Sequence, residues 1–381
     1  MKEYLLTAGP TPVPERVLLA MARPMLYHRS PPFTECLREV QDSLRWLLQT
    51  KQLPLLLSGS GTAGMDAAVC NFLCAGDKAI VIRGGKFGER WGKICQAYGI
   101  DCVFIDVEWG KGVDPKVVAQ AIDDNPGVRA VYATASETST ATKHDVEAVA
   151  KVVKGKDDII LCVDAITAVG VYDVPIDEWG LDVVVVGSQK ALMLPPGLAV
   201  VAASDKAWKA AERANLPRFY LDLTRERKSQ EKGETAFTPA VSLVVGLRES
   251  LRMLKEETLA GVWNRHERLA KATRAAAGGL GLELFSSSPA NSVTAFRMPS
   301  GIDGAAVIKQ MRTRYGITIA GGQDHLKGKI IRIAHIGYMS EFDIITAISG
   351  LEMTLSDLNF GIRPGAGVAS AQATFAETRR A

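Results

Sequence analysis

Asp182-Val183-Val184-Val185-Val186-Gly187-Ser188-Gln189-Lys190-Ala191-Leu192-Met193-Leu194-Pro195-Pro196-Gly197 is the stretch on which the fold turns. Four consecutive valines with no polar alternation read as a strand buried on both faces, which a mainly parallel sheet covered by helices provides. Gly187 and Ser188 end that strand, one lysine follows, and the chain re-enters an apolar segment. Burying an ammonium is costly unless it does something. Lys190 is therefore a candidate functional lysine. On position alone a snorkelling or exposed loop lysine is the ordinary alternative.

Working outward, similar short apolar runs occupy residues 53–57, 78–82, 102–105, 128–133, 159–163, 182–186 and 198–203. Helical patterns at 87–98, 115–122 and 146–153 separate most of them. Strands alternating with helices predict an α/β fold with a mainly parallel, seven-stranded sheet. Upstream, Leu37, Val40, Leu44, Leu47 and Leu48 fall at helical spacing, predicting a helix over 34–49 with Thr34 as its cap. Segment 7–14, Thr-Ala-Gly-Pro-Thr-Pro-Val-Pro, fits neither helix nor central strand and reads as an extended arm.

Downstream, a long helical stretch over 242–277 leads to a strand at 293–298, a helix at 305–315, a strand at 330–333 and a helix at 341–355. This is the pattern of a smaller α+β domain. The organisation expected is an arm over 1–20, a large domain over 21–260, a small C-terminal domain over 261–360 and a flexible tail over 361–381. The tail reading rests on its Gly, Ala, Ser and Thr content. The polar run 225–234 reads as an exposed loop.

Composition narrows the function classes. The 381 residues suit two domains. With 45 basic against 42 acidic residues, a net +3, nothing marks a nucleic-acid or membrane partner. The start Met1-Lys2-Glu3-Tyr4 runs directly into the Pro-rich arm, so no secretory signal is expected. Six cysteines all lie in the first half, mostly in apolar stretches, and no histidine accompanies the Cys70/Cys74 pair. Free buried thiols in a reducing cytoplasm, without a metal, are the expectation.

Two further pieces carry chemistry. Asp164 ends the strand at 159–163, at the crevice where α/β folds bind ligands; a helix-capping or loop aspartate is the alternative. Ser58-Gly59-Ser60-Gly61-Thr62 lies between a strand and a helix, where backbone N–H groups cradle an anion. Gly59, Gly61 and Gly64 also satisfy a dinucleotide spacing. That reading wants an acid after the next strand, where Arg83-Gly84-Gly85 stands instead, so a single phosphate is favoured.

Together these pieces resemble the class V aminotransferases of the fold-type I pyridoxal-5′-phosphate (PLP) enzymes. The run from Leu181 through Lys190, with Gly197, Ala199 and Val201, fits that family's lysine signature. The likeness extends to the Gly-Pro-Thr-Pro arm, the Ser-Gly-Ser-Gly loop, Lys86 to Trp91, Ser136 to Thr140, Asp164 and Arg332. The branch it looks most like holds the alanine–glyoxylate, serine–glyoxylate and serine–pyruvate aminotransferases.

The resemblance implies that Lys190 carries PLP as a Schiff base and moves the proton. Asp164 would pair with the pyridinium, an anion that keeps the ring an electron acceptor. Ile166 and Phe87 would pack on the two ring faces, Phe87 standing where relatives often carry Trp. Ser60, Gly61, Thr62 and Gln189 would hold the phosphate, and Thr138 would reach the ring hydroxyl. Gly9 and Arg332 would bind substrate, Arg332 by a two-point fork on the carboxylate. Thr235 and Thr238 would reach across a homodimer interface to the partner's phosphate. Thr62 departs from the His of some relatives. The expected reaction is a ping-pong transfer from alanine or serine to glyoxylate or pyruvate. Aspartate as donor would want a second cation, for which Arg29 and Arg90 are at hand.

Among rivals, a cysteine desulfurase needs a nucleophilic cysteine in the C-terminal part, and none follows Cys162. A PLP lyase on a small amino acid would use the same residues. A silent, redox-associated subunit retaining the fold would be expected to have lost one of Lys190, Asp164 and Arg332, and all three are present.

Overall fold

The protein is described by a computed structural model, in which residues 2–378 are placed. Seven strands build the main sheet: β1 (Leu55–Ser58), β2 (Lys78–Arg83), β3 (Asp101–Asp106), β4 (Val128–Thr134), β5 (Ile160–Asp164), β6 (Val183–Gly187) and β7 (Leu198–Ala203). Their spatial order is β1-β7-β6-β5-β4-β2-β3, and β7 alone runs antiparallel to its neighbours. The seven apolar runs of the sequence are these seven strands.

The valines of β6 explain the arrangement. Val184 and Val186 join one hydrophobic layer and Val183 and Val185 the opposite one. A strand with both faces buried has no use for alternation. Helix Gly61–Cys70 packs on β6 and β7, where Gly64 has no room for a side chain: a Cβ there would lie 2.6 Å from Val185.

Beyond the sheet, β8 (Val293–Arg297), β9 (Ala320–Gly321) and β10 (Ile330–Ala334) form an antiparallel sheet in the order β8-β10-β9. The arm begins by pairing Tyr4–Leu5 in parallel with Ile317–Thr318, then runs without helix or strand to Glu15. Helix Leu259–Leu280 enters one core at Val262 and the other at Leu269.

Several boundaries and elements differ from the sequence reading. The first long helix spans Pro31–Leu48 with Ser30 at its N-cap, so Thr34 is not the cap. Prolines 31 and 32 open that helix where the first N–H groups need no intrahelical partner. The single stretch expected over 242–277 is two helices, Val241–Glu257 and Leu259–Leu280, broken at Thr258. Its φ of 70° ends the first helix while its hydroxyl accepts from Gly261 N and starts the second.

Run 225–234 is not a plain loop. Asp222 caps helix Leu223–Gln230, and Glu226 and Gln230 are buried. The Gln230 amide reaches the outer strand β1, accepting from Leu56 N at 3.1 Å and donating to Leu56 O at 2.7 Å.

The tail is corrected most. Ala366–Thr378 is a helix that lies along Leu259–Leu280 and buries Ala371 and Phe375. Small residues allow close packing here rather than looseness: a Cβ on Gly279 would fall 2.5 Å from Ala366 O. Glu352 holds the incoming turn, accepting from Gly365 N, Gly367 N and Val368 N. Residues 379–381 of the expected tail lie outside the described residues. All six cysteines are free, with Cys36, Cys70, Cys95 and Cys162 buried. Among the described residues no helix is long and apolar enough to cross a membrane.

Candidate active site

The carboxyl ends of β5 and β6 deliver Asp164 and, three residues past Gly187, Lys190 to one cavity of about 390 Å³. Ser60, Gly61 and Thr62 line it from the start of helix Gly61–Cys70, and Phe87 from the start of helix Lys86–Ala97. Thr138, Ile166 and Gln189 complete the predicted set that converges there. Sequence distance is large, but strand ends and helix starts of a parallel sheet share one rim.

Lys190 sits in a tight loop between β6 and β7. Ser188 accepts from Leu198 N and donates to Pro195 O, closing the loop at its base. Thr11 of the arm donates to Lys190 O at 3.1 Å, and the lysine ammonium donates to Ala8 O. Gly9 lies against the same side chain, at φ 115°, and a Cβ there would meet Lys190 Nζ at 2.2 Å. The arm thus packs against Lys190, and Gly9 is glycine because the lysine occupies the space; neither Gly9 nor Arg332 is among the residues that line the cavity.

Burial pushes the Lys190 amine down to about 8, with Arg332 and Arg90 adding to the effect and Asp164 opposing it. Burial likewise raises the Asp164 carboxyl to about 7, against a hydrogen bond of 2.9 Å from Ile166 N. Each group is moved toward its neutral form by loss of water. A buried acid and a buried amine near neutrality in one crevice are the mark of a reactive site.

Arg332, on β10, is nine-tenths or more enclosed. Its Nε donates to Gly321 O at 2.8 Å and Nη1 donates to Thr138 O. Its pKa falls to about 10 through burial, partly offset by Glu137. Among the described residues no carboxylate lies within ion-pair distance of it. A buried guanidinium held only by two carbonyls is arranged for an anion that arrives from outside.

Three cavity residues were not among the predicted set: Arg90, Ser136 and Thr167. Arg90 donates to Thr62 Oγ1 at 3.0 Å and lies 4.7 Å from the Phe87 ring centre. The sequence signal for it was its place one turn after Phe87 on a helix that opens at the cavity. Arg29, the other cation considered, is exposed and paired with Glu234. Thr235 and Thr238 do not line this cavity in the single chain. They line a separate one of about 290 Å³ beside β1, with Thr235 donating to Phe237 O.

The residues fit a flat, phosphorylated pyridine aldehyde. The helix start at Gly61 offers N–H groups to a phosphate, and Gly61 leaves no room for a Cβ, which would meet Ile166 at 2.4 Å. Gln189 Oε1 is buried at the cavity with no hydrogen-bond partner, and with the amide turned over its NH₂ would face a phosphate oxygen. Ile166 and Phe87 supply apolar faces and Asp164 an anion. Among the described residues no group of three or more His, Cys, Asp or Glu side chains is placed to hold a metal ion.

Known proteins resemble this chain over nearly its whole length. The family described as Aminotransferase class-V matches residues 3–341. The small subunit of a soluble hydrogenase from a Synechococcus strain is 45% identical over 378 residues, covering 97% of each chain. The L-aspartate–glyoxylate aminotransferase of Paracoccus denitrificans is 36% identical, covering 98% of this chain and 96% of that one. Among solved structures, the ureidoglycine–glyoxylate aminotransferase of Bacillus subtilis superposes with a TM-score of 0.94 at 30% identity, covering 99% of this chain and 98% of that one.

Proposed function

The chain belongs to the class V aminotransferases, PLP-dependent enzymes, and from that membership we propose that it moves an amino group from a small amino acid to glyoxylate or pyruvate in a ping-pong cycle built on Lys190. The observation that carries this reading is Arg332, a buried cation without a carboxylate partner whose charge is felt by the buried Lys190. An α-amino or 2-oxo acid brings that carboxylate. PLP, when bound, supplies an aldehyde for the amino group and a ring that accepts the electron pair of the substrate Cα–H bond.

The chain's own groups supply the rest. Lys190 is the attachment point, and its lowered pKa leaves about a tenth of the amine neutral at pH 7, far more than an ordinary lysine has, ready to attack a carbonyl and to carry a proton. Asp164 holds a proton on the ring nitrogen. Arg332 orients the carboxylate, and the arm over Lys190 excludes water.

Arg90 bears on the donor. It lies at the cavity with a hydroxyl and a ring as its partners, so a second carboxylate also has a cation to meet. Alanine, serine and aspartate, each against glyoxylate and pyruvate, form the deciding panel. Absence of transfer from all three in the PLP-loaded protein would overturn the reading.

We also propose a homodimer. Leu19, Met25, Tyr27 and Phe219 are more than three-fifths exposed, an apolar set suited to burial against a second copy that brings Thr235 and Thr238 to the partner's phosphate. Free buried thiols support a reducing, cytoplasmic setting. The chain divides into an arm, a large domain to residue 260 and a small domain over 261–360.

The relative named as a hydrogenase subunit supports a second reading, that the chain accompanies a redox protein. Isolation of the chain from cells decides it: purification free of any redox protein is expected, and stoichiometric co-purification with one would favour this second reading.

A further inference from the structure

Glu137 belongs to no role assigned so far, yet it is fully buried and its carboxylate is saturated with donors. One oxygen accepts from Phe87 N at 2.9 Å and Gly88 N at 3.0 Å. The other accepts from Ser139 N at 3.1 Å and Ser139 Oγ at 2.5 Å. Ser139 Oγ in turn accepts from Lys86 N at 3.0 Å. The first three N–H groups of helix Lys86–Ala97 are therefore satisfied by a loop fifty residues downstream, where most helices use their own N-cap side chain.

Space confirms that the contact is built in. Gly85 precedes the helix, and a Cβ there would lie 2.4 Å from Ser139 Oγ and 2.5 Å from the Glu137 carboxyl carbon. The glycine leaves its capping position to the incoming carboxylate. On the other side, the neighbouring Thr138 carbonyl accepts from Arg332 Nη1, and Thr167 donates to Ser136 O at 2.8 Å. One carboxylate thus ties the helix carrying Phe87 and Arg90 to the loop that aims Arg332.

We propose that Glu137 is a positioning residue that fixes the spacing between the aromatic wall of the cavity and its carboxylate clamp. This deepens the reading of Arg332 as the clamp and rests on it. A neutral amide cannot replace the carboxylate, because its NH₂ end would face N–H donors. A shift of Phe87 changes the chiral surroundings of the bound cofactor, while a shift of Thr138 loosens the aim of Arg332.

The test uses the PLP-loaded protein and Glu137→Gln. Expected are a fall of the cofactor's visible circular-dichroism band to half or less, and a rise of about tenfold in KM for the amino donor. A role limited to stability would lower Tm and leave both readouts of the folded enzyme unchanged. The proposal is overturned if either the band or KM stays within twofold of wild type. Should Glu137→Gln not fold, Ser139→Ala, which removes the Lys86 acceptor and one donor to Glu137, is read by the same criteria. Arg332→Lys separates the two readings: unchanged KM there sinks the clamp, while the dichroic band still tests Glu137.

Discussion

The ammonium of Lys190 donates to the main-chain carbonyl of Ala8, 182 positions earlier in the chain. The proposed reactive lysine is therefore covered by the arm. Lys190→Ala should abolish turnover and leave no cofactor fixed to the protein by borohydride. With the amine near 8, PLP uptake by cofactor-free wild type should accelerate as pH rises and level off above about 8, since only the neutral amine attacks. Visible absorbance records both. A mutant that transaminates at the wild-type rate would mean another lysine serves.

Asp164 carries a prediction whose sign reverses on loading. Its carboxyl is raised from 3.8 to about 7 by burial, so between those values the folded protein binds more protons than the unfolded chain. Stability therefore falls as pH rises through that window, by about 4 kcal/mol in full from this group. In cofactor-free protein, Asp164→Asn should raise Tm at pH 8 relative to wild type and remove this pH dependence. In loaded protein the carboxylate would, as proposed, gain the ring N–H, and Asp164→Ala should keep some PLP while losing orders of magnitude in rate. Thermal melts from pH 4 to 8, with and without PLP, decide it.

Arg332→Lys replaces a planar fork, held by Gly321 and Thr138 carbonyls, with a single ammonium. Loss of one charge-assisted bond, about 2 kcal/mol, should raise KM for donor and acceptor by about thirtyfold. The cofactor's absorbance should stay as it was. Steady-state kinetics with both substrates varied would expose an unchanged KM.

A dimer with shared sites should sediment as one species at micromolar concentration. Phe219→Arg, at a ring about two-thirds exposed that lies tilted against Phe237, should weaken it and lower activity in parallel. A fully active monomer would refute the shared-site proposal.

The helical tail makes a stability prediction. Phe375 is buried between helices, and Phe375→Ala should cost about 3 kcal/mol by leaving a cavity. A change of Tm within a degree would contradict that packing.

What the sequence made legible was set by how local each signal is. The seven strands were readable because a doubly buried strand writes itself as consecutive apolar residues, as Val183 to Val186 do. Asp164 was readable because it ends such a run, and Lys190 because it follows one by a few residues and precedes another apolar stretch. The 366–378 helix was not, because its fit depends on Gly279 and Glu352, distant residues that composition cannot connect. Arg90 was named only as a possible second cation for the donor, and Glu137 was missed as a site residue, for a related reason. Each works through partners brought near only by the fold, Thr62 for one and the Lys86–Gly88 amides for the other.

Gln230 has a consequence for how copies of this chain behave in company. β1 is an outer strand of the main sheet, and an outer strand is a template on which another chain can pair and grow. The Gln230 amide occupies the outward N–H and C=O of Leu56 as a neighbouring strand would, so the sheet is terminated by a side chain. A glutamine in a helix that composition marks as surface thus serves as a guard against sheet-to-sheet polymerisation. Its replacement by leucine would be felt first in how concentrated the protein can become before it clouds, and only later in how fast it works.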